Sequence, residues 1–446
     1  MGSDSTHSRR EFVRTTAVAG AATLAEHRFA ILGHAAPDTR IRVGVIGCGG
    51  RGTGAALNVL KAATDVVYPE RGYHTEDAAK GARPTADGVE VLSLADLFPD
   101  RLAECRTQLE KVGVRVPDDA CYTGFDAYGK LLAREDVNYV ILAAPPLFRP
   151  EHFKAAVEAG KHVFMEKPVA VDGPGVRLVL EAGELSVKKR LGVVAGTQRR
   201  HDQRFVETVA RVRGGSVGRI HTCRTYWNGG RVWVVEREPG WSDMEWQLRN
   251  WVHSIWLSGD HVVEQHVHNL DVANWALGAH PLSARGMGGR QAHSSDLYGN
   301  VYDHFAVEYE YPDGVRMFSQ CRQMKGTENK VGTFVDGSEG TANCEGTIEG
   351  PDGSVKWRFG DKAPNPYEQE HESLIRSIRD GNPLNESRAV AESTLTGIMG
   401  RESAYSGKAI TWEEALQSTR SLAPDRWELG ERPIGEVPMP GRYEFR

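Results

Sequence analysis

The densest run of chemistry-bearing side chains in this 446-residue sequence is Gly259-Asp260-His261-Val262-Val263-Glu264-Gln265-His266-Val267-His268-Asn269-Leu270-Asp271. Histidines and carboxylates are the groups of proton transfer and of metal ligation, and the local period decides between them. As a helix, the run puts Glu264, His268 and Asp271 on one face through spacings of four and three. As a strand, Glu264, His266 and His268 share a face, and with His261 they make a zinc or manganese site conceivable. A second candidate is Glu166-Lys167-Pro168, delivered by the strand read over residues 161–165. A third is Gly47-Cys48-Gly49-Gly50-Arg51-Gly52, whose glycines at 47, 49 and 52 fit G-x-G-x-x-G. The first glycine permits a tight turn, the second lets backbone approach a pyrophosphate, and the third lets helix pack on strand.

These residues need a particular scaffold. Residues 43–46 read as a buried strand running into the glycine turn, and 53–60 as the helix whose N-terminal amides face phosphate charge. Residues 68–88 hold Pro69, Gly72, Gly81, Pro84 and Gly88 and read as an irregular surface insertion. The next strand, 89–95, ends at Asp96, a carboxylate placed to accept both hydroxyls of an adenosine ribose and to repel a 2′-phosphate; that favours NAD over NADP. Its distance from Gly47 exceeds the usual ~20 residues, and the insertion accounts for the excess. Residues 137–144 form another buried-type strand before Pro145-Pro146, 150–159 a helix stopped by Gly160, and 161–165 the strand that brings Lys167 to a carboxyl end. Alternating strands and helices give a doubly wound parallel sheet, whose ligands sit at the carboxyl ends of the strands. Residues 219–228, 301–311 and 315–323 alternate as in an open, mainly antiparallel sheet with one face covered by helices.

Composition narrows the classes. Hydrophobic residues at 40% and charged residues at 26% are those of a globular protein with a large core, and a net charge of −6 offers no basic field for nucleic acid or anionic lipid. Cys48, Cys105, Cys121, Cys223, Cys321 and Cys344 form no C-x-x-C pair, so neither a disulfide framework nor a cysteine zinc site is indicated. Ser8-Arg9-Arg10-Glu11-Phe12-Val13-Arg14 resembles a twin-arginine export signal. The small-residue apolar run behind it is far short of the ~20 residues of a membrane span. An exported, periplasmic protein follows, and outside the cytoplasm its dinucleotide must be held tightly and regenerated in place.

In their order along the chain, the glycine turn at Gly47, the loop Ala144-Pro145-Pro146 and Glu166-Lys167-Pro168 resemble the Gfo/Idh/MocA oxidoreductases, a family that includes glucose-fructose oxidoreductase and inositol dehydrogenases. The resemblance covers nearly the whole chain after residue 40. It implies an α/β protein, with a Rossmann-type domain over residues 39–167 and an α+β substrate and oligomerisation domain over 168–423. A leader at 1–38 and a Pro- and Gly-rich tail at 424–446 flank them. The other face of the large sheet would build a homodimer or homotetramer interface.

The resemblance also implies NAD as cofactor, with NADP less favoured. It is held by Gly47, Gly49, Gly50, Arg51, Gly52, Asp96, Arg101, Ala144, Pro145, Pro146, Glu166, Lys167 and Gln198. His268 would take the proton from the hydroxyl being oxidised, Lys167 would hydrogen-bond the same oxygen, and Glu264 and Asp271 would complete the catalytic set; no metal belongs to it. Arg199, Tyr226, Asn228, Trp256, His266 and His268 would meet the substrate, a sugar, glycoside or cyclitol. Arg149 stands where many members have histidine, Glu264 where the family pattern has Asp, and His266 where glycine is common. Six of the ten tryptophans lie between 227 and 256, and some of their indoles suit stacking on a saccharide. A redox-neutral NAD-dependent glycosidase and a non-catalytic sugar-binding protein are the alternatives.

Overall fold

The computed structural model describes residues 40–67, 75–230 and 232–445, so the twin-arginine leader lies outside the described residues. The first sheet has six parallel strands in the order Cys121–Thr123, Val89–Asp96, Ile41–Ile46, Tyr139–Leu142, His162–Met165, Val193–Ala195. Tyr139–Leu142 is buried at every position, as a central parallel strand covered on both faces must be. Helices Gly50–Val59, Pro99–Lys111, Arg149–Glu158 and Gly173–Lys188 supply the crossovers. Strand order reverses between Ile41–Ile46 and Tyr139–Leu142, which opens a crevice at their carboxyl ends.

Two expectations are corrected here. The parallel sheet extends past residue 167, because Val193–Ala195 pairs with His162–Met165 as its sixth strand; membership is set by long-range backbone pairing, which local composition does not carry. The stretch read as irregular holds a strand: Thr75–Ala78, within it, pairs antiparallel with Thr64–Val67 just before it, forming a ribbon.

The second sheet has nine strands, in the order Val355–Arg358, Thr347–Glu349, Gly340–Asn343, Lys330–Gly337, Ile220–Gly229, Arg316–Gln323, His304–Glu310, Ser283–Gly289, Ile410–Thr411. Every pairing is antiparallel except Ile220–Gly229 with Arg316–Gln323. Met317, Ser319, Cys321 and Gln323 alternate as buried residues with more exposed neighbours, the signature of a sheet covered on one face. That cover includes helices Val267–Leu277 and Ser387–Ser406. Helix Pro366–Arg379 packs instead on the glycine-turn helix and brings Tyr367 to the crevice. The tail lies back on its own chain: Tyr302 Oη donates to the Pro438 carbonyl at 2.8 Å and Tyr443 Oη to Glu402 at 2.6 Å. Among the described residues no helix is long and apolar enough to cross a membrane.

Candidate active site

A cavity of about 370 Å³ opens at the point where strand order reverses. Its wall includes Gly47, Gly49, Gly50, Arg51, Asp96, Arg101, Ala144, Pro145, Pro146, Glu166, Lys167, Gln198, Glu264 and His268. The glycine turn behaves as its pattern requires. Gly47 has φ +93°, and a Cβ there would fall 2.3 Å from Ala144 N. A Cβ on Gly52 would fall 1.7 Å from the Gly47 carbonyl oxygen, whereas one on Gly49 would meet nothing within 4 Å. Gly52 is therefore the helix-on-strand contact, and Gly49 presents bare backbone to open space.

The surrounding charges tie the turn to the rest of the cavity. Asp96, at the end of its strand, accepts the Cys48 amide at 2.6 Å and the Phe98 amide at 2.8 Å. Burial raises its pKa, against the pull of those two amides. Arg51 lies between Glu166 and Glu76, donating at 2.9 and 2.8 Å, under the Tyr367 ring. Glu76 comes from the ribbon, and Val67 and Asp77 of the same ribbon line the cavity. The insertion thus helps to build the cavity wall, a role its polar composition gave no sign of.

Lys167 donates to the Glu264 backbone carbonyl at 2.6 Å and to its carboxylate at 2.9 Å, with both side chains nearly buried. The segment 259–271 is helical but broken: His261–Glu264 ends one helix, and Val267–Leu277 begins the next after Gln265 and His266. The strand alternation behind the metal reading is therefore absent from this segment. The break keeps Glu264 and His268 on the cavity wall and separates them from two residues expected beside them. His266 points into the sheet, with Nε2 2.7 Å from Ser319 Oγ, and burial depresses its pKa to about 3. Asp271 accepts Arg200 at 2.8 Å through both oxygens and Ser393 Oγ at 2.8 Å. Neither lines the cavity, so His266 is corrected from substrate contact to core residue, and Asp271 from catalytic group to anchor of Arg200.

His268 stacks on Trp227, with ring centroids 5.7 Å apart and planes 19° apart. Burial first, then the Lys167, Arg199 and Arg51 cations, hold its pKa well below the usual imidazole value, so it is a neutral proton acceptor. Trp227 has its site role by strand parity. Residues 223, 225 and 227 face the helices, so Tyr226 and Asn228 lie on the opposite face and do not reach the cavity. Tyr226 instead has the Lys330 ammonium 4.1 Å over its ring. Arg199 also stays off the wall, bonded to Asn269 and lying over the Phe205 and Trp227 rings. Trp256 is buried elsewhere, donating to Gln247 at 2.8 Å beneath Arg432. The indoles that do line the cavity are Trp233 and Trp251.

Two further wall residues come from the helix that follows the proline loop, Arg149–Glu158. Arg149 donates to the carbonyls of Ala144 and Pro168 and braces the two loops that deliver Pro145 and Lys167; burial lowers its pKa to about 10. His152, stacked on Tyr128 and Phe148, is depressed to about 3 by burial and the Arg149 charge.

The residues fit a bound dinucleotide. Gly49 offers an open backbone cradle, Asp96 stands at its strand end, and Thr197 Oγ1, Gln198 Oε1 and Glu264 Oε2 are buried polar atoms without a partner among the described residues. A doubly wound sheet, this cavity at its switch point and a covered antiparallel sheet define a two-part, dinucleotide-binding scaffold. Residues 41–185 match the oxidoreductase family model with NAD-binding Rossmann fold, and 205–343 match the GFO/IDH/MocA C-terminal domain. The chain belongs to the Gfo/Idh/MocA family, with NAD as its cofactor.

Among curated relatives, it is 31% identical over 190 residues to 2,7-anhydro-N-acetylneuraminate hydratase of Escherichia coli, an alignment covering 41% of this chain and 45% of that protein. It is 23% identical over 256 residues to inositol 2-dehydrogenase of Acidothermus cellulolyticus, covering 57% and 59%. The chain thus spans about half the length of these relatives. Aldose-aldose oxidoreductase from Caulobacter crescentus shares the fold, with TM-score 0.62 and 16% identity over 83% of this chain and 99% of that one.

Proposed function

We propose that this protein moves hydride between a hydroxyl-bearing carbon of a sugar, glycoside or cyclitol and a bound NAD, and that it is exported by the twin-arginine route. One observation carries the chemistry: Lys167, Glu264 and His268 line the same cavity as Gly49 and Asp96. Glu264 fixes the Lys167 ammonium by two contacts, so a donor is preset for the substrate hydroxyl oxygen. His268, kept neutral, takes the hydroxyl proton. The nicotinamide, when bound, accepts the hydride that leaves the same carbon. Trp233 and Trp251 offer apolar faces for a sugar ring. The glycine turn, Asp96 and Arg51 would hold the dinucleotide in place while it is regenerated. The uncovered face of the nine-stranded sheet, which carries Tyr226, Phe318 and Phe334, is the proposed surface of a homodimer or homotetramer.

A redox-neutral reading draws on the hydratase relative. Oxidation at one ring carbon acidifies its neighbour, whose proton leaves to a base as a glycosidic group departs; water then adds and the hydride returns. Product analysis with an aryl glycoside separates the two. Net release of the aglycone with no ketone accumulating selects the second reading, and a ketosugar with reduced nicotinamide selects the first.

A further inference from the structure

Two aromatic residues of the cavity wall, Phe125 and Phe148, come from the loops that follow strands Cys121–Thr123 and Tyr139–Leu142, which lie three places apart in the parallel sheet. Trp427, in the C-terminal tail, packs against both, with ring centroids 5.9 Å from Phe125 and 4.9 Å from Phe148. The tail residues that follow are pinned to helix Asp243–Arg249. Met244 N–H donates to the Gly430 carbonyl at 3.1 Å, the Gln247 amide donates to the Arg432 carbonyl at 2.5 Å, and Arg432 N–H donates to the Asp243 carboxylate at 3.1 Å. The helix in turn holds the loop beyond Asp96. Arg249, itself on the cavity wall, donates to both Asp100 oxygens at 2.9 and 3.1 Å and lies 4.0 Å over the Phe98 ring. Tail and helix form one continuous bridge between the two sets of loops that line the cavity.

We propose that residues 427–432 and helix Asp243–Arg249 are a clasp that turns the dinucleotide into a non-exchanging group. The proposal rests on the cavity being the cofactor site. Each contact is modest by itself: Asp100 is a largely exposed partner, and such pairs hold little alone. Their connection is what matters, because parting Trp427 from Phe125 and Phe148 frees the wall that the helix holds from the other side. Retention then depends on a residue far along the chain from any glycine of the turn.

The test is the release rate of NADH from the full-length, loaded protein, followed by loss of bound nicotinamide fluorescence on adding excess NAD. Trp427→Ala speeds release about tenfold or more, the equivalent of about 1.4 kcal/mol, and Trp427→Phe restores retention to within about threefold. Asp100→Asn, at an exposed position, speeds release in the same direction and guards against a folding defect in the tryptophan variant. Release at the wild-type rate in both Trp427→Ala and Asp100→Asn overturns the clasp while leaving the cofactor site standing. A wild-type protein that takes up no NADH overturns the site, and the clasp with it.

Discussion

The two glycines of the phosphate turn respond to the same substitution in opposite ways. At Gly49 an added methyl meets no atom of the described residues within 4 Å, and its φ of −71° suits alanine. Gly49→Ala therefore leaves the stripped protein within about 1 kcal/mol of wild-type stability. The methyl stands where backbone would approach the pyrophosphate, so at least one charge-assisted hydrogen bond is lost. That is about 1.5–3 kcal/mol, or roughly a 10- to 100-fold rise in the NAD dissociation constant. At Gly52 the methyl would fall 1.7 Å from the Gly47 carbonyl oxygen and 3.3 Å from the Ala143 side chain. Backbone cannot yield there without moving the turn, so Gly52→Ala costs about 1–3 kcal/mol or more of stability and also weakens binding. Thermal unfolding of the stripped proteins and NAD titration by tryptophan quenching read the two effects separately. Unchanged NAD affinity in Gly49→Ala would show that no phosphate lies at the turn, and unchanged stability in Gly52→Ala would refute the packing argument.

Three further outcomes follow from the site. Asp271→Asn leaves Arg200 buried and unpaired, lowering stability by about 3 kcal/mol; turnover per folded molecule falls less than about tenfold, against about 10²- to 10⁴-fold for His268→Ala. Equal losses of turnover in the two variants would return Asp271 to the catalytic set. Glu370 is fully buried with neither carboxyl oxygen partnered among the described residues, and burial and then Glu166 raise its pKa well above the usual carboxylate range. Its proton is held more tightly folded than unfolded, so its contribution to stability is full below about pH 4 and is lost as pH rises toward the folded pKa. Glu370→Gln therefore raises the melting temperature at about pH 8 and changes it little at about pH 4; the reverse order would contradict the assignment. His152, depressed to about 3, works with the opposite sense: stability falls as pH drops below about 6.5, and His152→Phe flattens that part of the unfolding profile.

The parallel sheet was legible because strands buried on both faces leave unbroken apolar runs, and the glycine turn because backbone approach admits almost nothing else. Lys167 was legible as the residue after such a strand. The substrate side was less so. Helical spacing grouped Glu264, His268 and Asp271, but the break at Gln265-His266 depends on packing against the sheet, and no period shows which neighbour a face will meet. The resemblance placed Tyr226 and Asn228 against the substrate, while strand parity sends Trp227 to His268 instead. The ribbon residues Val67, Glu76 and Asp77, the Tyr367 ring and the Trp427 contact all depend on pairings across long stretches of sequence.

In the proposed reaction Lys167 and His268 act together on one carbinol beside the bound nicotinamide. Its most direct measurement is the appearance of reduced-nicotinamide absorbance in NAD-loaded protein mixed with a panel of sugars, glycosides and cyclitols, compared with Lys167→Ala loaded to the same degree. Wild-type protein reduces its bound NAD with at least one compound, and the variant keeps its cofactor but fails to reduce it. A Lys167→Ala variant that reduces bound NAD at the wild-type rate would contradict the account.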